Sequence, residues 1–234
     1  MARTRTAAAA ALAVAMLASG CFEVASEVPA ITLSSRAASL PMASGRYCGV
    51  DVDLDETGAM EPLTADSDCF EVTVEGGALK VRPDDPAEPD VLTLEVADLG
   101  RGLRLMQGHD IDDEGYQLLV IAMSEDGLAI LEDTSRTPDM DAAAAAAGVT
   151  LSESSDLQIV AGEPDAVLGL MREATGLRLD AALRDDARRR EVIGDAIYYV
   201  RVAPDALDAD ADKAATLAAV EGLAEIFERA MALE

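Results

Sequence analysis

Aromatic and cationic residues are scarce in this chain of 234 residues. It has no Trp, four Tyr, three Phe and one His, and its 18 Lys and Arg face 45 Asp and Glu, so that the formal charge is −27. Nucleic-acid binding needs a cationic surface that displaces counterions from phosphates, and this charge excludes most such roles. The shortage of aromatic rings argues against a carbohydrate-cleaving cleft, although 45 acids always supply carboxylate pairs. The length suits one domain or two small ones.

Motifs for catalysis and for cofactor binding are also missing. The chain contains no G-x-G-x-x-G, no G-x-x-x-x-G-K and no G-x-S-x-G elbow. The single histidine, His109, stands in an Asp-rich turn, where we expect an exposed loop side chain rather than a catalytic base. Two cysteines and one distant histidine do not complete a zinc site. The sequence therefore predicts no catalytic residue, no metal ligand and no cofactor.

Three acidic runs begin as a calcium loop does, but none completes the pattern. Asp51–Glu56 has a glutamate where an EF-hand needs glycine, and Asp208–Asp212 is followed by a lysine at that position. Asp110–Gly115 has the glycine, but Ile121 occupies the final bidentate position. We expect a solvated hairpin turn at Asp110–Gly115 and acids beside a helix N-terminus at Asp208–Asp212. Weak binding of divalent cations by clustered acids stays open.

The N-terminus carries the most specific pattern in the chain. Arg3 and Arg5 precede an unbroken apolar run, Ala7–Leu17, and small residues then lead to Cys21. A basic segment, a short apolar run and small residues before a cleavage site are typical of a secretory signal peptide. The run is shorter than the roughly 20 apolar residues that an ordinary transmembrane helix needs.

The stretch Leu17-Ala18-Ser19-Gly20-Cys21 resembles the lipobox of bacterial lipoproteins, with Ala18 where Leu is commonest. The resemblance covers residues 1–21 only. It implies that residues 1–20 are a signal peptide and that Cys21 carries a diacylglycerol and an acylated amine, and two or more acyl chains anchor a protein stably. Phe22, rather than Asp, implies the outer membrane of a Gram-negative bacterium. Plain secretion is the alternative.

Cysteine usage agrees with this location. With lipid on Cys21, Cys48 and Cys69 remain as an even pair in an oxidising compartment, which favours a disulfide. The bond would close a loop of about 22 residues and stabilise the fold by about 3 kcal/mol in the chain-entropy model. Two buried free thiols are the alternative.

The chain after the signal peptide changes pattern twice. Residues 21–45 join the lipidated cysteine to a Ser- and Ala-rich segment without periodicity, which predicts a flexible tether spanning roughly 25–30 Å. Residues 46–135 alternate apolar and polar residues between turns, which predicts a β-meander. The predicted strands are Tyr47–Asp51, Phe70–Val74, Ala78–Arg82, Val91–Val96, Leu103–Gln107, Tyr116–Met123 and Leu128–Leu131. Gly77, Gly102 and Gly127 recur every 25 residues and predict three successive hairpins, whether or not they mark a degenerate repeat.

Residues 136–234 alternate helical and strand patterns, which predicts a smaller α/β part. The expected elements are strand Leu157–Val160, helices Ala166–Thr175 and Leu179–Val192, strand Ala196–Val202 and helix Asp212–Leu233. The alanine run Asp141–Ala147 is either a short helix that ends at Gly148 or a spacer. Arg188–Arg190 would lie near a helix C-terminus, where cations are favoured. The fold class is thus α+β, an antiparallel meander forming a small sheet or a partly closed barrel, with an α/β C-terminal part.

These patterns together predict a membrane-anchored envelope lipoprotein with a non-catalytic binding or structural role. Its membrane contact would be the lipid on Cys21, and its anionic surface would restrict other partners to divalent cations or cationic proteins. One alternative is a binder or inhibitor of a cationic protein. In general character, though not in any motif, the chain is similar to lysozyme-inhibitor lipoproteins, which are also small, β-rich and disulfide-bonded. A carboxylate- or metal-dependent hydrolase is the second alternative.

Overall fold

Among the residues that the structure describes, eight antiparallel strands close into a barrel and four helices pack outside it. The computed structural model describes residues 23–54, 60–84, 91–109, 115–131, 138–154, 157–205 and 212–232. The strands are β1 Glu23–Ser26, β2 Gly45–Leu54, β3 Met60–Glu75, β4 Ala78–Pro83, β5 Leu92–Gly100, β6 Leu103–His109, β7 Tyr116–Met123, β8 Gly127–Leu131, β9 Thr150–Ser154, β10 Leu157–Ala161 and β11 Ile197–Val202. The helices are α1 Pro138–Ala147, α2 Pro164–Leu183, α3 Asp186–Gly194 and α4 Lys213–Ala232.

The order of strands around the barrel is β2-β3-β4-β5-β6-β7-β8-β11, and β11 pairs again with β2. The predicted α+β meander is therefore confirmed, as a closed barrel. The three predicted hairpins are the β3–β4, β5–β6 and β7–β8 pairs. Gly100 and Gly102 have φ of 89° and 85°, a conformation that side chains with a Cβ rarely adopt, and these glycines allow the tight β5–β6 turn.

A cluster of large apolar side chains fills the barrel interior. Alternate residues of each strand point inward, as period-two patterning requires. Three rings meet there: Tyr47 stacks on Phe70 at a centroid distance of 6.4 Å, and Phe70 lies 5.0 Å from Tyr199. The buried members of this cluster are Met42, Tyr47, Phe70, Val72, Leu79, Val81, Val96, Met106, Ile121, Met123, Leu128, Ile130 and Tyr199.

A second core lies between the outer face of the barrel and the helices. Strands on this wall are apolar on both faces, so that all five residues of β8 are buried. The apolar face of helix α4 packs on this wall, and its residues Val220, Leu223 and Phe227 are fully inaccessible to solvent. The helices thus cover one side of the barrel, while β4 on the far side keeps Lys80 and Arg82 exposed.

Strand β11 joins the C-terminal part of the chain to the barrel. The sequence predicts an α/β part after residue 135 and leaves open whether it is a domain of its own; β11, which belongs to that part, fills the gap between β8 and β2 and closes the barrel. It pairs antiparallel with both neighbours, Tyr198 opposite Ala129 and Val50. Without β11 the meander would leave one edge of β2 and one edge of β8 unpaired. Because β11 pairs with both edges, the two parts of the chain share one core.

The segment predicted as a flexible tether is packed on the barrel, so that prediction is wrong for residues 23–45. Strand β1 lies between β7 and β10, antiparallel to the first and parallel to the second. Ala30 and Ile31 are at most 1% exposed, and Met42 reaches the barrel interior. The Ala37 amide donates a hydrogen bond to the Val96 carbonyl at 2.8 Å. The pairing partners of β1 come from distant parts of the chain, so no local sequence pattern predicts this short strand.

One helix boundary also differs from the prediction. The sequence favours a helix end at Thr175, before Gly176, but α2 continues to Leu183 because its apolar face continues through Leu179 and Ala182, both buried. The chain breaks at Arg184 instead. Asp185 then caps α3, its Oδ1 accepting a hydrogen bond from the Ala187 amide at 2.9 Å.

Candidate binding site between the helices and the barrel

A cleft of about 350 Å³ lies where α1, α2 and α3 meet the outer face of the barrel, and we call it the helix cleft. Its volume falls at the lower end of small-molecule sites, which run from about 300 to 1,000 Å³. The floor is Val24 of β1, Val120 of β7 and Leu131 of β8, all at most 4% exposed. The walls are lined by Asp139, Met140, Met171, Ala174, Thr175, Leu177, Arg178, Ala181, Ala182, Arg188, Glu191 and Val192.

The sequence of α2 explains why the cleft stays open. Ala174 and Ala181 face it with small side chains, whereas Met171 lies buried beneath them. The hydroxyl of Thr175 donates to the Met171 carbonyl at 2.7 Å, so this buried polar atom is satisfied within the helix. Methionine adapts its shape easily, and Met140 of α1 lies on the opposite wall from α2. The interior of the cleft is therefore apolar and deformable.

Charged side chains surround the mouth of the cleft. Arg178 is half-buried, whereas Arg188, Asp139 and Glu191 are exposed. Arg188 also lies 3.9 Å from Asp185, a weak exposed pair. An apolar floor below a charged rim suits a molecule with an alkyl tail and a polar head, because the tail leaves water while the head stays solvated.

Depressions elsewhere on the described surface are also partly lined by charged residues. One, of about 800 Å³, lies between β11 and α4, and its Arg201 forms an ion pair with Asp126. Another, of about 460 Å³, lies beside His109, and its Arg36 is paired with Glu95. Both are more open than the helix cleft, and their principal cations are already engaged, so they offer less to a small ligand.

The predicted Cys48–Cys69 disulfide is present. The two residues lie directly opposite each other on β2 and β3, with their Cα atoms 4.1 Å apart. Cys48 is fully buried and Cys69 is 7% exposed. The bond lies on the wall of the barrel, and its role is structural. Cys21, the predicted lipidation site, lies outside the described residues.

The other residues singled out by sequence do not meet at the helix cleft. His109 ends β6 and is exposed, and its ring packs edge-on against Tyr116 at a centroid distance of 5.1 Å. Asp212 accepts a hydrogen bond from the Ala215 amide at 3.1 Å, which places this acid beside the start of α4 as predicted. Asp110–Glu114 lie outside the described residues, as do residues 55 and 56 and residues 208–211, whereas Asp51–Leu54 form the end of β2. Among the described residues, no cluster of three His, Cys, Asp or Glu is placed to hold a metal ion.

The position of Arg188–Arg190 corrects a prediction. These residues lie in the first half of α3, not at a helix C-terminus, because the break at Arg184 shifts the helix start to Asp186. The guanidinium of Arg189 donates to Glu228 of α4 at 2.7 Å and ties the two helices together. Sequence reasoning missed the helix cleft because its floor and walls come from six elements that only the fold brings together.

Two tyrosines have perturbed acidity, and both lie away from the cleft. Burial raises the pKa of Tyr47 to about 12, although Arg201 nearby partly offsets this. Burial also raises the pKa of Tyr198. Their hydroxyls donate to the carbonyls of Ala43 at 2.6 Å and Ile193 at 2.7 Å, so both phenols serve the core.

Among the described helices, none is long and apolar enough to span a membrane. Comparisons with known protein families, with curated proteins and with solved structures find no match for this chain.

Proposed function

We propose that this protein is a lipid-anchored envelope protein with a non-catalytic role, and that it binds a single-chain amphiphile in the helix cleft. The observation that carries the binding role is the apolar floor of Val24, Val120 and Leu131 below a charged mouth. The anchor rests on the lipobox-like stretch that ends at Cys21. Its membrane would be the outer membrane of a Gram-negative bacterium.

The cleft suits one alkyl chain better than a polar metabolite. Its floor offers no hydrogen-bonding side chain, and the one buried hydroxyl, that of Thr175, is already engaged. A polar ligand would lose its hydration there without new hydrogen bonds, at a cost of roughly 1–3 kcal/mol for each polar group. An alkyl chain gains about 0.8 kcal/mol for each buried methylene.

A fluorescence titration tests the binding role. The Cys21→Ser variant, made without lipid, is titrated with dansyl-undecanoic acid, whose emission rises in apolar surroundings. Ala174→Trp fills the cleft and is expected to lower the affinity at least tenfold. Ala218→Trp makes the same change on the exposed side of α4 and should leave the affinity unchanged. Absence of binding, or equal loss in both variants when circular dichroism shows both folded, would refute the proposal.

The anchor has its own test. Labelled palmitate supplied to cells that produce the full chain should enter the wild type and not Cys21→Ala. Membrane fractionation should follow the label, because the loss of all acyl chains removes the hydrophobic anchor. Equal incorporation in the two chains would exclude Cys21 as the lipidation site.

A further inference from the structure

We propose that the outer surface of α2 and α3 between Leu177 and Arg190, here called the arginine face, rests on an anionic phospholipid membrane. The proposal rests on the anchor at Cys21 and goes beyond amphiphile binding, because it fixes the orientation of the molecule. It follows from three features of the chain: the short connection to the anchor, the position of β1 and the composition of the face.

The connection between the anchor and the folded body is short. Only Phe22 separates Cys21 from β1, where Glu23 already pairs with Leu157. Because a chain reaches at most about 3.6 Å per residue, the Cα of Cys21 lies within about 11 Å of the Cα of Val24. A lipid on Cys21 therefore holds the body directly at the membrane surface, which a flexible tether would not do.

The position of β1 selects the side of the molecule that meets the membrane. Val24 shares the helix cleft with Leu177 and Arg178 of α2 and with Arg188 of α3. The anchor thus emerges beside the arginine face. Strand β4 lies on the opposite wall, four strands away from β8 around the ring of eight.

The arginine face has the composition of a surface that contacts anionic lipid. Leu177 and Leu183 are 36% and 52% exposed, two of the four exposed large hydrophobic side chains among the described residues. Long arginine stems lie along apolar lipid while their charges stay among the headgroups. Of the 18 Lys and Arg in the chain, five lie between Leu177 and Arg190: Arg178, Arg184, Arg188, Arg189 and Arg190. Arg189 is paired with Glu228 of α4.

The acids in the same stretch do not cancel this charge. Residues 177–190 hold three acids, so the stretch carries +2 in a chain of −27. Two of these acids have partners within the fold: Asp180 accepts from Arg101 at 2.7 Å, and Asp185 caps α3. An anionic membrane repels the remaining acidic surface and attracts this one, so electrostatics and the anchor favour the same orientation.

The absence of Trp from the chain makes a background-free test available. Leu183→Trp places a reporter on the arginine face, and Val91→Trp is its control. The two side chains are 52% and 51% exposed. Arg101, in the turn after β5, pairs with Asp180, so α2 lies at the C-terminal end of β5. Val91 precedes the other end of this nine-residue strand, about 25–30 Å away.

Both variants, lipidated at Cys21, are reconstituted into vesicles of phosphatidylglycerol and a brominated phosphatidylcholine and recovered by flotation. Bromine quenches Trp that reaches the acyl boundary, and side chains at such interfaces settle about 5–10 Å deep, so roughly half of the Leu183→Trp emission should be lost. Val91→Trp should keep its emission. Replacing phosphatidylglycerol with unbrominated phosphatidylcholine, with the fraction of brominated lipid unchanged, should reduce the quenching of Leu183→Trp, because the charge attraction is removed.

The possible outcomes separate the two proposals. Flotation of both variants with Leu183→Trp unquenched, or with equal quenching of both reporters, overturns the arginine-face orientation and leaves the anchor intact. Quenching of Leu183→Trp that does not depend on phosphatidylglycerol overturns the requirement for anionic lipid. A wild type that incorporates no palmitate in producing cells and does not float with the vesicles overturns the anchor and, with it, this inference.

Discussion

The packing of the N-terminal segment makes a prediction about one residue, Ile31, which is 1% exposed and whose amide donates to Gln107 Oε1 at 2.9 Å. Ile31→Ala removes three carbon groups worth about 0.8 kcal/mol each, and the cavity left behind adds to the loss. We expect the free energy of unfolding to fall by about 3 kcal/mol. The backbone hydrogen bond to Gln107 is retained, so the loss reports side-chain packing.

Leu33→Ala is the matched control, two residues away and 84% exposed. Exposed substitutions of this kind change stability by about 0.5 kcal/mol or less. A chain of this size loses roughly 2–4 °C in Tm per kcal/mol, so Ile31→Ala should melt about 6–12 °C lower than Leu33→Ala.

Urea unfolding followed by far-UV circular dichroism measures both variants in the unlipidated Cys21→Ser chain, with thermal melting as a second readout. A flexible tether would make the two substitutions equally harmless. The two variants would contradict this account if their free energies of unfolding agreed within about 0.5 kcal/mol. The N-terminal segment would then not be packed on the barrel, and the inference that the folded body lies directly at the membrane surface would be refuted as well.

Three further predictions concern the barrel. Reduction of the Cys48–Cys69 disulfide, whose partners are 21 residues apart, should lower the unfolding free energy by about 3 kcal/mol, measured by urea unfolding with and without reductant. The pKa of Tyr47 is about 12 in the folded protein and 10 in the unfolded chain. Its contribution to the free energy of unfolding is therefore complete below pH 10, and this free energy falls by about 2–3 kcal/mol as the pH rises to 12. Gly77→Ala should cost about 1–3 kcal/mol in a urea titration, because its Cβ would overlap a backbone carbonyl of the N-terminal segment.

Each of these has a control within the chain. The double variant Cys48→Ala/Cys69→Ala should not respond to reductant, and a wild type equally indifferent to it would contradict the disulfide's stabilising role. Tyr47→Phe should remove this part of the alkaline loss, and an unchanged pH profile would disprove the assignment. Gly169→Ala, in the middle of α2 with open space at its Cβ, should be neutral or stabilising; a Gly77→Ala chain of the same stability would exclude the overlap.

The strands of the meander could be predicted because each carries its own pattern. Val72 and Val74 alternate with polar residues in β3, and glycines between the apolar segments mark the turns. The local sequence therefore suffices to place the β3–β4 hairpin and its register. Tyr116–Met123 is predicted and observed with the same bounds. The disulfide follows from the even pair of cysteines, and the cross-strand register of Cys48 and Cys69 supplies the required geometry.

Features made by distant partners could not be predicted. Strand β1 has four residues and becomes a strand because β7 and β10 flank it. Strand β11 is evident as a strand, but nothing local shows that it closes the barrel between β2 and β8. The glycine at 176 predicts a helix end, yet the buried Leu179 and Ala182 favour continuation, and tertiary packing outweighs the modest cost of glycine in a helix.

The helix cleft is the least predictable feature. Val24, Val120 and Leu131 each have the pattern of an ordinary core residue, and Met171 has that of an ordinary helix stripe. Their convergence depends on how three helices lie across a barrel wall. The arginines at the mouth have the pattern of a solvated helix face, and only the fold brings Val24 of β1 into the same cleft.

Native mass spectrometry of the unlipidated Cys21→Ser chain, purified without detergent from the non-membrane fraction of producing cells, tests the central claim most directly. We expect a non-covalent adduct with the mass of a single-chain amphiphile, released by organic extraction and absent from a folded Cys21→Ser/Ala174→Trp chain. A bare polypeptide mass for the Cys21→Ser chain, with no adduct after incubation with an excess of fatty acid, would contradict the proposed binding function.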